Sequence, residues 1–127
     1  VIEFAEADER EEWEGVGPLL KEIVTYAHDN LWPAGRRFIV SSIWRSRLEN
    51  AKVGAKTLIH TVGPPYRAVD ADVCGWSKAE IMEVCAAINR RWQYDPTRPN
   101  IPAAYGEKHG TGPHIHFQVH ANTVLVT

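Results

Sequence analysis

Four of the chain's six histidines fall between residues 109 and 120, and two of them, His114 and His116, stand one residue apart in the run His114-Ile115-His116-Phe117. On a β-strand, residues two apart point to the same face, so both imidazoles can converge on one point while Ile115 and Phe117 turn into the core. That is the geometry of a metal site, and it needs a third ligand from elsewhere. His60 and Asp70 are the candidates, because each sits beside a strand-like segment. A further imidazole and a carboxylate would complete a three-ligand site with an open position. Two histidines and a carboxylate suit ferrous iron as well as zinc, so ligand type alone does not choose the metal. Taken singly, His60 reads as a hydrogen-bonded surface histidine and Asp70 as a solvated or capping carboxylate. Asp72, two residues beyond Asp70, is an alternative ligand or a partner that orients His60.

Elements of secondary structure must bring these residues together. Gly17-Pro18 opens a helical pattern in which Leu20, Ile23, Val24, Ala27 and Leu31 recur at helical spacing, and Trp32-Pro33 ends it. Residues 37–44 are rich in β-formers and predict a strand. Residues 50–56 read as a loop, 57–61 as a short extended piece, and 66–73 as an alternating strand. Ser77 and Glu80 have capping-box spacing, and Ile81, Val84, Cys85, Ile88 and Trp92 then form one apolar face, closed by Asp95-Pro96. Residues 95–113, with four prolines and three glycines, read as a long surface loop that shapes a substrate cleft. Residues 115–119 and 124–126 supply the last strands. This order predicts an α+β domain: a small, mainly antiparallel sheet with two principal helices packed against it. Most of the five tryptophans fit the core rather than a stacking platform.

Three segments together resemble a known family, the zinc D-alanyl-D-alanine metallopeptidases of the lysostaphin and hedgehog superfamily. His60-Thr-Val-Gly63 followed by Arg67-Ala68-Val69-Asp70 is similar to the family's Ser-x-His-x-x-Gly-x-Ala-x-Asp motif. Ser41-Ser42-Ile43-Trp44-Arg45-Ser46 resembles its Ser-Gly-Tyr-Arg-Ser segment. Gly112-Pro113-His114-Ile115-His116-Phe117 resembles the terminal motif of its histidine-x-histidine branch, as in murein endopeptidases. The likeness runs in order from about residue 38 to 119. The chain departs from the pattern in three places. Pro64-Pro65-Tyr66 lengthens the spacing from histidine to aspartate by three residues, which predicts an outward bulge. Leu58 replaces the motif's serine, and Pro113 stands where many relatives carry a glutamate base.

The resemblance implies one hedgehog-like catalytic domain over residues 1–127, with Zn2+ held by His60, Asp70 and His116. It implies hydrolysis of an amide in the peptide stem of bacterial peptidoglycan, as a carboxypeptidase or an endopeptidase acting at the cell wall. His114, on the same strand face as His116, is the candidate acid/base residue. Arg45, a permanent cation with a planar fork, is the candidate for holding an oxyanion or a substrate carboxylate; its alternative is a surface ion pair. A binding module of the same fold without turnover is the non-enzymatic rival. A histidine-triad nucleotide hydrolase is the enzymatic one, although Phe117-Gln118 interrupts the histidine alternation and no glycine-rich phosphate loop is evident.

Composition bounds these readings. The 127 residues are 44% hydrophobic and 24% charged, with a formal net charge of -2. They match a folded domain and give no global pull toward nucleic acid. No apolar run is long enough to span a bilayer, and the acidic residues 1–14 do not read as a signal peptide. Cys74 and Cys85 are too few for a disulfide framework, and Cys85 reads as a small buried hydrophobe. The chain is expected to be a monomer whose partner is a peptidoglycan stem peptide, with no nucleic acid and no membrane span.

Overall fold

The computed structural model describes residues 1–55, 57–109 and 112–126, the side chain of His109 excepted. Along the chain run β1 (Ile2–Phe4), α1 (Ala7–Trp13), α2 (Pro18–Tyr26) with a π-turn at Ala27–Leu31, β2 (Phe38–Ser42), α3 (Arg47–Lys52), a 3-10 turn (Ile59–Thr61) and β3 (Ala68–Asp72). There follow α4 (Lys78–Arg91), β4 (Trp92–Gln93), β5 (Ala104–His109), β6 (Gly112–Gln118) and β7 (Val124–Leu125). Five strands form one sheet in the order β1-β2-β3-β6-β5, and β4 pairs with β7 in a second. Only β1 and β2 run parallel; the other strand pairs are antiparallel. The expected α+β architecture is the one observed.

Alternation along the strands sorts the sheet into two faces. Phe38 and Val40 of β2, Val69 and Ala71 of β3, and Ile115 and Phe117 of β6 are buried in a core completed by Leu20, Ile23 and Val24 of α2 and Val84 and Ile88 of α4. The other face of the same strands carries Asp70, His114, His116 and Gln118, and each of these is buried as well. A sheet face lined with polar groups is buried only if something covers it and satisfies them. Over Asp70 and His116 the cover is the long connection from β2 to β3, which carries α3 and the 3-10 turn with His60, while Pro102 meets Gln118.

Local chemistry shapes that connection. Ser46 caps α3 by accepting from the Glu49 amide at 3.1 Å, while Glu49 accepts from the Ser46 amide at 3.2 Å. The Asn50 side chain then donates to the Thr57 carbonyl at 2.8 Å. Arg45 N–H donates to the His60 carbonyl at 2.8 Å, closing the excursion and laying both residues on the sheet. The same capping arrangement starts α4, where Ser77 and Glu80 exchange bonds of 2.9 and 3.1 Å.

Several expectations are corrected. Residues 95–113 are not one long loop: Ala104–His109 forms the edge strand β5. Gly106, a weak strand former, lies where α4 packs so closely that a Cβ would stand 2.9 Å from Ile81 Cγ2. Of the expected loop at residues 50–56, residues 50–52 belong to the helix Arg47–Lys52, with the signal in Ser46 and Glu49. Residues 57–61 contain a 3-10 turn and no strand. Of the Pro64-Pro65-Tyr66 insertion, Pro64 and Pro65 are exposed, while Tyr66 returns to the core: it exchanges backbone bonds with Gly15 and Gly17, and a Cβ on Gly15 would come within 2.7 Å of its ring. Cys74 is exposed, Cys85 is buried, and both are free thiols. Among the described residues no helix is long and apolar enough to cross a membrane.

Candidate metal centre

Register places the site. Asp70 pairs with His116, and His116 with Tyr105; one step along, Asp72 pairs with His114, and His114 with Glu107. Each pair shares a face of the sheet. His60 reaches the first row from the 3-10 turn. The ligand-type atoms of His60, Asp70 and His116 lie within 4.8 Å of one another, and all three residues are buried. His60 Nε2 is 3.1 Å from Asp70 Oδ1 and 3.2 Å from His116 Nδ1, which is itself 2.9 Å from Asp70 Oδ1.

The outer hydrogen bonds of the two imidazoles decide what the cluster can hold. His60 Nδ1–H donates to the Ile43 carbonyl at 2.7 Å, which leaves Nε2 with a lone pair directed inward. His116 Nε2–H donates to Gln118 Oε1 at 2.9 Å, and the Gln118 amide group donates in turn to the Pro102 carbonyl at 2.8 Å. The glutamine is thereby fixed with its oxygen toward the ring, and His116 Nδ1 also turns a lone pair inward. Two imidazole lone pairs and a carboxylate oxygen thus face one another across about hydrogen-bond distance. They repel unless a proton or a cation sits among them, and each imidazole carries the second hydrogen bond that metal-bound histidines usually make. Nitrogen and oxygen donors of this kind fit zinc or another divalent transition metal.

Electrostatics agree with that assignment. Burial would push the Asp70 carboxyl up, but a proton held between it and the imidazoles of His60 and His116, the positive charge whose place a cation would take, outweighs burial and holds the carboxyl well below the usual carboxylate range. For His60 burial is the larger influence and pulls the imidazole down against the attraction of Asp70. Asp70 therefore carries the negative charge of the cluster. The Tyr105 ring lies 4.8 Å from that of His116, and burial, with repulsion from Glu107 and Asp70, pushes its hydroxyl up to about 12.

Asp70 Oδ2 faces a second set of residues. Arg45 Nη2 stands 3.5 Å away and His114 Nε2 3.4 Å away. His114 Nδ1–H donates to the Gly112 carbonyl at 3.1 Å, and its Nε2 lies 3.8 Å from Glu107 Oε2. Arg45 is not the surface ion pair that was its alternative; its side chain is only 9% exposed. A cleft of about 590 Å³ opens onto Asp70, Arg45 and His114, while His60 and His116 lie behind them.

The structure thus brings together all five sequence-derived site residues, His60, Asp70, His116, His114 and Arg45. Asp72 lines the same cleft and pairs with His114, but it is not one of the three grouped donors: it accepts from the Cys74 amide at 3.0 Å, and His60 is oriented by the Ile43 carbonyl instead. His28 and His120 lie elsewhere, beside Asp29 and Asp95. Among the described residues of 95–113, only Pro113 lines the cleft; α1 and the segment around Trp44 and Arg45 supply much of its wall. Gln118 was missed although it continues the two-residue alternation of His114 and His116. Glu107 could be found only by recognising β5. No family model, curated protein or solved structure matches the chain, so its own geometry carries the functional argument.

Proposed function

We propose that the chain is a zinc-dependent hydrolase of an amide in the peptide stem of bacterial peptidoglycan, with zinc held by His60 Nε2, Asp70 and His116 Nδ1. The observation that carries this reading is the inward convergence of those three electron-pair donors beside an open cleft that also presents Arg45 and His114. The sequence resemblance to the zinc D-alanyl-D-alanine metallopeptidases supplies the substrate class.

When bound, zinc supplies Lewis acidity to a carbonyl and makes water a competent nucleophile near neutral pH. The remaining work falls to the chain's own groups. His114, held at Nδ1 by the Gly112 carbonyl, presents Nε2 beside Asp70 as the atom that takes and returns a proton. Glu107, across the β5–β6 ladder, stands where it can favour the protonated imidazole, and so takes the place of the glutamate that Pro113 leaves out. Arg45 presents a fixed guanidinium to an oxyanion or a substrate carboxylate.

The test is digestion of purified peptidoglycan by zinc-loaded protein, followed by mass spectrometry. New amino groups released, suppressed by a chelator and restored by zinc, are the expected result. His116→Ala should lose metal, whereas His114→Ala should keep it and lose turnover. Zinc binding without hydrolysis would favour the binding module, and cleavage of a nucleoside phosphoramidate in place of peptidoglycan the histidine-triad reading.

A further inference from the structure

A series of hydrogen bonds leads from the metal centre to α4, which packs on the opposite face of the sheet. His116 Nε2–H donates to Gln118 Oε1 at 2.9 Å, and the Gln118 amide group donates to the Pro102 carbonyl at 2.8 Å. That carbonyl shares one peptide unit with the Ala103 N–H, which donates to Asn89 Oδ1 on α4 at 2.8 Å. Asn89 Oδ1 also accepts from the Ala104 amide at 3.0 Å, and Asn89 Nδ2 donates to the Ala104 carbonyl at 2.8 Å. Every donor in the series points away from the metal centre.

This polarity is decided at the Asn89 end. Two backbone N–H groups face one atom of the Asn89 amide, so that atom is the oxygen, whereas a glutamine side chain taken alone can present either end. A peptide unit is planar and nearly rigid, so the bond that holds its N–H also aims its C=O, roughly the opposite way. Ala103 and Ala104 are fully buried, where an unpaired N–H is costly. Asn89 therefore holds the Pro102–Ala103 unit with its carbonyl toward Gln118, and the Gln118 backbone amide ties the same loop to β6 by donating to the Ala103 carbonyl at 2.9 Å. Gln118 answers the Pro102 carbonyl with its NH2 group, which turns its oxygen to His116. With the unit reversed, Gln118 would present NH2 to His116 instead. Nε2 would then have to accept, and the proton of the ring would pass to Nδ1, the atom that faces Asp70 and His60.

We propose that Asn89 is a positioning residue that keeps a proton on His116 Nε2, acting through the Pro102–Ala103 peptide unit and Gln118, and thereby leaves Nδ1 as an inward electron-pair donor. Its consequence for metal binding rests on the proposed zinc site; the placement of the proton does not.

The test uses the full chain labelled with a nitrogen isotope. Long-range nitrogen–proton correlation spectra, recorded without metal in mildly alkaline buffer, show which imidazole nitrogen of His116 carries a proton, and zinc titration against a competing chelator gives the affinity. In the wild type Nε2 should be protonated. Asn89→Ala should leave Nε2 unprotonated in a substantial share of molecules and weaken zinc binding by about tenfold, the lower end of the effect of losing an outer partner. Asn89→Asp, which still accepts from both amides, should keep the proton on Nε2 and most of the affinity. Ile88→Val, at the buried neighbouring position of α4, should lower the melting temperature and move neither readout, which separates positioning from stability. If Asn89→Ala does not fold, Asn89→Ser, too short to reach both amides, takes its place. A protonated Nε2 that survives loss of the Asn89 amide, an Asn89→Asp chain that loses it as fully as Asn89→Ala, or an equal shift in Ile88→Val would overturn the proposal. Its failure is separable from that of the zinc reading. A proton that follows Asn89 in a chain that binds no zinc removes the zinc reading alone, and zinc binding with a proton indifferent to Asn89 removes this inference alone.

Discussion

Asp70 Oδ1 and His116 Nδ1 lie 2.9 Å apart across the β3–β6 ladder because the two residues are direct register partners. A slip of one residue in either strand would send one of them to the helix-packed face, so the site inherits its accuracy from the same pairing that builds the core. Ile115 and Phe117, fully buried between the sheet and its helices, pin that register.

In the proposed zinc site, the hydrogen bond from His116 to Gln118 gives the glutamine the part of a positioning residue. Gln118→Leu should weaken zinc binding by about 10–100-fold, the usual effect of losing such an outer partner. Zinc titration against a competing chelator measures it, and unchanged affinity would show that His116 keeps its tautomer without help.

Zinc should also stabilise the fold. At a free concentration a hundredfold above its dissociation constant, an ion that binds only the native state contributes about 2.7 kcal/mol. The expected result is a higher melting temperature that chelation reverses, with no such response in Asp70→Ala. A wild-type melt indifferent to zinc would contradict the three-ligand assignment.

Arg45→Lys should lower turnover by about a hundredfold or more while metal content stays at the wild-type level, since lysine keeps charge but loses the planar fork. Steady-state kinetics beside elemental analysis separates the two effects. Loss of zinc in step with activity would instead make Arg45 a support for Asp70.

The Glu9 carboxyl, pushed up to about 7 from an ordinary 4.5 by burial and then by Glu12 and Glu6, gives a signed pH effect. A raised native pKa means that the folded chain binds this proton more tightly than the unfolded one. Its contribution is therefore full below about pH 4.5 and is lost as pH rises through about 7. Glu9→Gln should match wild type in melting temperature near pH 5 relative to its own value, and gain on it progressively toward pH 8. A difference that stays constant across that range would mean that α1 stores no such repulsion.

Residue type and local spacing made much of this protein legible in the sequence. The capping pair Ser77 and Glu80 with the apolar stripe through Ile88 announced α4, and His114-x-His116 on a strand announced two imidazoles on one face, because helical and strand periodicities are local properties. Gln118 obeyed the same rule, and Ser46 with Glu49 marked α3; both signals were present without being read. Tertiary structure alone decided that Ala104–His109 is a strand, since Gly106 is favourable there only against the packed Ile81 of α4. It alone brought Glu107 to His114 and the acidic face of α1 to the cleft, because these contacts join segments far apart in the chain. His60 and Arg45 reached the sheet through bonds to Ile43 and to each other, a closure that depends on the path of the whole β2–β3 connection and on no pattern within it.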